Sequence, residues 1–102
     1  MEFKELQEKV IKVEENYGRW NKIDIDQEYA LNKLYEEVGE FAQSWLIHRR
    51  KCRPSKIVSE AESKKMLAEE LADIIGITIY NAHLLDINLE QAIEDKWFKY
   101  LE

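Results

Sequence analysis

Apolar residues recur at helical spacing in four segments of the chain. In the first, they alternate between three and four positions apart: Phe3, Leu6, Val10, Val13 and Tyr17. This spacing predicts an amphipathic helix with a narrow apolar seam, which we expect to end at Gly18. A linker that contains Trp20 follows, and Asp26 is placed to cap the next helix.

The second segment is predicted to be helical from about residue 27 to about residue 50. Its apolar residues fall on one stripe about 120° wide at the helical repeat: Leu31, Leu34, Tyr35, Val38, Phe41, Ala42 and Trp45. We expect this stripe, Trp45 included, to face the core. Basic residues and Pro54 mark the end of the helix.

The third and fourth helices each open with a capping-box pattern. Ser59 is followed by Glu62, and Asn88 by Gln91. The third helix is predicted to continue to about Leu85, and from Leu71 onward its apolar residues surround the axis. A helix that is apolar on all sides is central in its fold, so we expect this one to be innermost.

Composition supports an all-α fold. The chain has 102 residues, which we interpret as a single helical domain over residues 1–102, and it has only three glycines and one proline to form turns. We predict a four-helix bundle-like arrangement. So small a bundle buries little of its surface, and we therefore expect self-association as a homodimer or homotetramer.

The remaining composition narrows the class of protein. One cysteine, Cys52, excludes an intramolecular disulfide and suits a reducing compartment. No signal-peptide pattern or membrane span is evident, so we expect a cytoplasmic protein without a membrane partner. The net charge of −6 speaks against nucleic acid as a partner. The basic residues between 49 and 56 are interpreted mainly as a solvated loop, with a nucleic-acid contact as the weaker alternative.

Two acidic groups stand out against this background. Glu37 and Glu40 on the second helix, and Glu70 and Asp73 on the third, are each spaced one helical turn apart. Solvated surface charge is the commonest explanation for the first pair. Glu70, however, lies about 40° from the centre of its helix's apolar face, where an ionised carboxylate needs a partner or a metal. Four hard oxygen ligands suit Mg²⁺, with Mn²⁺ as a second possibility.

A carboxylate-lined di-iron bundle is the obvious competitor. Such a bundle needs Glu-x-x-His pairs on two helices, but Trp45 and Tyr80 stand three residues before the two histidines, His48 and His83. Neither pair exists. We expect His48 to be an exposed residue at a helix end and His83 to be a packed core imidazole.

The acidic segments resemble a family signature. Residues 34–41 (Leu-Tyr-Glu-Glu-Val-Gly-Glu-Phe) and 69–75 (Glu-Glu-Leu-Ala-Asp-Ile-Ile) are similar to the Glu-Glu-x-x-Glu and Glu-x-x-Asp motifs of the MazG-like all-α nucleoside triphosphate pyrophosphohydrolases. Trp20 upstream, and residues 87–93 with Lys96 downstream, agree with the flanks. The similarity spans the chain from Trp20 to Lys96.

This resemblance implies a fold, a reaction and roles for particular residues. The expected fold is that of the all-α NTP pyrophosphatases, and the expected reaction is Mg²⁺-dependent cleavage of a (d)NTP to a (d)NMP and pyrophosphate in nucleotide-pool house-cleaning. By position, the metal ligands would be Glu37, Glu40, Glu70 and Asp73. The resemblance gives Glu36 the role of orienting or deprotonating the attacking water, Lys96 a phosphate contact and Trp20 a base contact. An anchor of the linker in the core is the equal alternative for Trp20.

The chain departs from the family pattern in two places. Twenty-nine residues separate Glu40 from Glu70, which is long for the family, and the stretch after Lys96 lacks the asparagine and arginine that many relatives carry. The alternative function is a non-catalytic helical oligomerisation or interaction protein with a vestigial metal site.

Overall fold

Four helices form along the chain, at the places that the apolar periodicity predicts. In the computed structural model, which describes residues 1–101, they are α1 (Phe3–Asn21), α2 (Gln27–His48), α3 (Glu60–Leu84) and α4 (Leu89–Trp97). Short 3₁₀ turns lie at Pro54–Lys56 and Phe98–Tyr100. No strand occurs within the described residues, and the all-α class is thereby confirmed.

Three side-chain caps fix where helices begin. Asp26, Ser59 and Asn88 each accept a hydrogen bond from the backbone N–H three residues later, at 2.9, 3.1 and 3.0 Å respectively. Each bond satisfies one of the amide groups that the first turn of a helix leaves without an intrahelical partner. The starts of α2, α3 and α4 are therefore set by local sequence, as predicted.

The prediction that α1 ends at Gly18 is wrong. The helix continues to Asn21, and the left-handed residue that follows is Lys22 (φ 56°). Gly18 is buried, and a Cβ built on it would lie 2.7 Å from Ile25 Cγ1 and 3.0 Å from the Ile23 carbonyl oxygen. The glycine therefore allows the chain after α1 to approach the helix closely.

The chain divides into two compact units. The first contains Met1–Leu31 and the chain from Thr78 onward, so it holds α1, the start of α2, the end of α3, and α4. The second contains Asn32–Ile77, which is the rest of α2, the connecting loop and most of α3.

The first unit is centred on the end of α3. Ile79, Tyr80 and Ala82 are buried there, together with Ala30 of α2. The Asn81 side-chain amide donates a hydrogen bond to the Ala30 carbonyl oxygen at 2.9 Å, so it satisfies a buried backbone group. The prediction that α3 is a central helix is confirmed for this stretch.

The second unit is built on the α2–α3 pair. Its buried positions are largely polar: Glu37 and Ser44 on α2 and Ser63 on α3, with Ile77 as the buried apolar residue among those described. The two helices run antiparallel, because Glu40 and Glu70 approach each other while His48, further along α2, contacts Ser63, which is earlier on α3.

The predicted apolar stripe of α2 is only partly covered. Leu34 and Phe41 are half-buried, but the other five members are exposed: Leu31, Tyr35, Val38, Ala42 and Trp45. The prediction that Trp45 is a core residue is wrong, since 47% of it is exposed. The periodicity correctly predicted a helix, but the rest of the chain covers only part of the apolar face of that helix.

The same is true of α3. Leu71, Ile75 and Leu85 are exposed, although the sequence predicted burial on all sides from Leu71 onward. Among the described residues, no helix combines the length and the apolarity that crossing a bilayer requires.

Candidate metal centre

Four carboxylates converge where α2 faces α3 in the second unit. Glu37 and Glu40 are one turn apart on α2, and Glu70 and Asp73 are one turn apart on α3, so each pair projects from one helix face. One carboxylate oxygen from each residue lies within 4.8 Å of the corresponding oxygens of the other three. The sequence predicted these four residues as a group, and the structure brings them together.

Burial is graded across this cluster. Glu37 is 7% exposed, Glu40 and Glu70 are half-buried, and Asp73 is exposed. The Glu37 Oε2 and Glu70 Oε2 atoms are buried and have no hydrogen-bond partner. A buried acceptor without a partner is costly, and more so when it carries charge.

The environment favours the protonated form of the two most enclosed carboxyl groups. Burial, with smaller effects from Glu40 and Asp73, raises the pKa of Glu37 from 4.5 to about 7. Burial also raises the pKa of Glu70, and the negative charges of Glu40 and Asp73 add to that shift. Both shifts mean that the surrounding protein provides too little positive charge to stabilise the ionised forms of these two carboxyl groups.

A divalent cation fits these observations. The donor set consists of oxygen alone, which is the chemistry that hard divalent cations prefer. At a metal–oxygen distance of about 2.1 Å, opposite ligands lie about 4.2 Å apart, close to the 4.8 Å limit within which the four oxygens already lie. An ion here would give Glu37 Oε2 and Glu70 Oε2 the partner that they lack. The four residues can hold a metal ion.

Glu36 lies outside the cluster. Its side chain is exposed, and its Oε1 atom pairs with Lys33 Nζ at 2.7 Å. The same ammonium lies 4.0 Å from Glu37 Oε1, so Lys33 brings a positive charge close to the most buried of the four carboxylates. Lys33 was not predicted at this site, although residues three and four positions apart on a helix are neighbours and its spacing to the two glutamates predicts such pairs.

The two other predicted contact residues lie in the first unit. Trp20, on α1, is 73% exposed, and Lys96, on α4, is exposed. The structure places the four-carboxylate cluster in the second unit without either of them.

The expectations for the two histidines are both wrong. His48 is half-buried, and its Nδ1 atom lies 2.8 Å from Ser63 Oγ. His83 is exposed and lies against the ring of Tyr80, with 5.5 Å between the ring centroids. Neither histidine is part of the carboxylate cluster.

The first prediction concerns pH. Between pH 4.5 and about 7 the native state binds the Glu37 proton more tightly than the unfolded chain does. Without divalent cations, the contribution of Glu37 to the free energy of unfolding should therefore fall as the pH rises through this interval. Urea unfolding in EDTA from about pH 5 to about pH 8 measures it. Glu37→Gln should lose this decline and should be more stable than the native protein near pH 8. The control Glu62→Gln, at an exposed position, should keep the decline. The same dependence of the free energy of unfolding on pH in all three proteins would contradict the assignment.

The second prediction concerns metal binding. An ion that binds only the folded state at 100 times its Kd adds about 2.7 kcal/mol, which raises the melting temperature of a domain this size by on the order of 10 °C. We expect millimolar Mg²⁺ or Mn²⁺ to produce such a shift in thermal melts. Asp73→Asn should abolish the shift, and Glu69→Gln, an exposed neighbour on the same helix, should retain it. A shift of the same size in Asp73→Asn would show that the ion binds elsewhere.

Comparison of the chain with protein-family models, with curated proteins and with solved structures finds no match in any of the three. The likeness of residues 34–41 and 69–75 to the pyrophosphohydrolase signature therefore stays a prediction from the sequence. What the structure adds is the convergence of Glu37, Glu40, Glu70 and Asp73 at one place.

Proposed function

We propose that the protein is a nucleoside triphosphate pyrophosphohydrolase that uses Mg²⁺, or alternatively Mn²⁺, to cleave a (d)NTP to a (d)NMP and pyrophosphate. The single observation that carries the proposal is the four-carboxylate cluster with its two buried, unpartnered oxygens. The order of the motifs along the chain supports it, because Glu-Glu-x-x-Glu precedes Glu-x-x-Asp on two successive helices. A role in cleansing the nucleotide pool follows from the same resemblance.

In this proposal Glu37, Glu40, Glu70 and Asp73 hold the ion. A bound Mg²⁺ supplies Lewis-acid polarisation of phosphoryl oxygens and neutralises the charge of the triphosphate. The protein contributes rigidity, since each pair of ligands is fixed on one face of a helix. Deprotonation of Glu37 is the step that prepares the site, because its raised pKa leaves it partly protonated near neutral pH without a cation.

The reaction itself transfers the nucleotidyl group to water. The water oxygen bonds to the α-phosphorus, the α–β phosphoanhydride bond breaks, and pyrophosphate leaves with the bridging oxygen. We assign acceptance of the water's proton to Glu36, whose carboxylate must first exchange its ion pair with Lys33. The exposure of Glu36 makes that exchange cheap, since exposed ion pairs contribute about 1 kcal/mol or less. Lys96 and Trp20 are proposed to contact the phosphates and the base.

The third prediction tests this activity. Separate deoxynucleoside and ribonucleoside triphosphates are incubated with Mg²⁺, and the products are separated by chromatography. Native protein should give monophosphate and pyrophosphate, and Glu40→Gln should give none. Glu36→Gln should reduce turnover by about 100-fold or more, typical of losing a general base, while retaining the metal-induced rise in melting temperature. Diphosphate and orthophosphate as products would identify a different bond and refute the assignment.

We also propose that the protein self-associates as a homodimer or homotetramer in the all-α NTP pyrophosphatase fold. Large apolar side chains in the second unit lie open to solvent on both helices: Tyr35, Val38 and Trp45 on α2, and Leu71 and Ile75 on α3. The three on α2 recur at spacings of three and seven, which is the pattern of a seam that packs against another helix. Contiguous exposed apolar surface is typical of protein–protein interfaces.

The fourth prediction follows from that surface. Light scattering should give a mass of two or four times 12.2 kDa. Ile75→Lys, which places a charge on the exposed face of α3, should shift the protein toward monomer, because an unpaired charge is costly in an interface. Val13→Lys makes the same kind of change on the exposed face of α1 and is the control. A native monomer, or equal dissociation of both variants, would contradict the proposed interface.

The exposed apolar faces of α2 and α3 also favour the second candidate, a non-catalytic helical interaction protein with a vestigial metal site. The two candidates share the surface and differ in turnover. Metal-stabilised, oligomeric protein that leaves every nucleotide intact would favour the second.

A further inference from the structure

A second charged feature lies at the end of the α2–α3 pair where the two helices are joined. An open hollow of about 290 Å³ is lined by His48, Arg49, Arg50, Val58, Glu60 and Ser63. All six residues belong to the second unit, as does the carboxylate cluster. The hollow lies two helical turns further along α2, since His48 follows Glu40 by eight residues, or about 12 Å of helix.

The two arginines at this hollow, Arg49 and Arg50, are exposed and form no ion pair with the described residues. Three more basic residues, Lys51, Arg53 and Lys56, follow on the same loop and are also without one. The acidic residues of this chain outnumber the basic ones by 21 to 15, so suitable partners are plentiful. Guanidinium groups that remain unpaired around a recess are typical of a site for an anion.

Hydrogen bonds order the wall of the hollow. The Ser63 hydroxyl donates to the Glu60 carbonyl oxygen at 3.0 Å, so its oxygen is left to accept from His48 Nδ1 at 2.8 Å. This arrangement places a proton on Nδ1, and Nε2 of the neutral ring is then an acceptor that gives an anion no hydrogen bond. The imidazole therefore forms part of the wall without being an anion ligand. Ser63 is 2% exposed, so the imidazole is held by a buried group.

The backbone and a neighbouring ring position the two arginines. The Arg49 guanidinium lies over the ring of Trp45, 5.8 Å from its centroid. Arg50 adopts the left-handed conformation, with φ 59°, immediately after α2. The carboxylate of Glu60 offsets one of the two positive charges, and the hollow retains a net positive charge.

We propose that this hollow binds a phosphate group of a small anion, supplied by inorganic pyrophosphate or by a free nucleotide, through Arg49 and Arg50. The planar guanidinium can donate two parallel hydrogen bonds to phosphate oxygens. The site is separate from the carboxylate cluster and needs no metal ion. It does not rest on the hydrolase activity.

Titration calorimetry in EDTA tests the proposal, because chelation leaves the carboxylate cluster without a cation and repulsive to anions. Native protein should bind inorganic pyrophosphate in this buffer. Arg49→Gln and Arg50→Asn should each weaken that binding about tenfold or more, as expected for loss of a charge-assisted bidentate contact. Asparagine is chosen at position 50 because it tolerates a positive φ. A nucleoside triphosphate that binds equally well or more tightly, with the same dependence on both arginines, would also support the phosphate site.

Lys56→Gln is the matched control. It removes one positive charge from the same loop, but Lys56 does not line the hollow. At about 0.15 M salt the screening length is about 8 Å, so pyrophosphate affinity should change less than about threefold in this variant. If all three substitutions weakened pyrophosphate binding equally, the general positive charge of the loop would explain the affinity, and the proposal would be overturned. Absence of pyrophosphate binding, or tighter binding of a short single-stranded oligothymidylate, would overturn it as well.

Discussion

Repulsion between carboxylates is the constraint on which the second unit depends. Two ionised groups at the 4.8 Å limit of the cluster repel by about 3 kcal/mol at an effective dielectric constant of 20. Four such groups on two facing helices would push α2 and α3 apart unless their charge is reduced. Protonation of Glu37, whose pKa is raised to about 7 chiefly by burial, is one form of relief. A bound divalent cation would be the other, because it would offset the charge of all four carboxylates at once.

The polar residues buried in the second unit also bear on where its apolar residues lie. Among the described residues of the unit, three of the four that are buried are polar, Glu37, Ser44 and Ser63, and the fourth is Ile77. Much of the apolar surface of the pair lies open to solvent, as at Tyr35, where 67% of the residue is exposed. A helix pair that is polar inside and apolar outside gains stability by covering its outer faces. The proposed self-association and the carboxylate site therefore depend on the same distribution of residues.

Local chemistry made much of the structure predictable from the sequence. Asp26, Ser59 and Asn88 cap their helices because each side chain accepts a hydrogen bond from the backbone amide three residues later, and this contact does not depend on the rest of the fold. Glu37 and Glu40 were predicted to share a face for a similarly local reason. The position of Glu70 near the apolar face of its helix then indicated that its carboxylate needs a partner or a metal.

Tertiary contacts account for the predictions that failed. Gly18 resembled a helix terminator, but its role comes from the approach of Ile25, seven residues later, which no local rule expresses. Periodicity located the apolar stripe of α2 correctly, yet it cannot tell a face that the chain covers from one that it leaves open. His48 was expected to be exposed because it lies at a helix end, and only the return of α3 brings Ser63 to its ring.

The opposite charges of the second unit remain separate because the helices hold them apart. Glu40 and His48 are separated by about 12 Å of helix, which exceeds the screening length of about 8 Å at physiological salt. The arginines that follow His48 therefore do little to relieve the repulsion among the carboxylates, and the carboxylates do little to neutralise the arginines. The length of α2 thus keeps the carboxylate cluster and the proposed phosphate site apart on one helix pair.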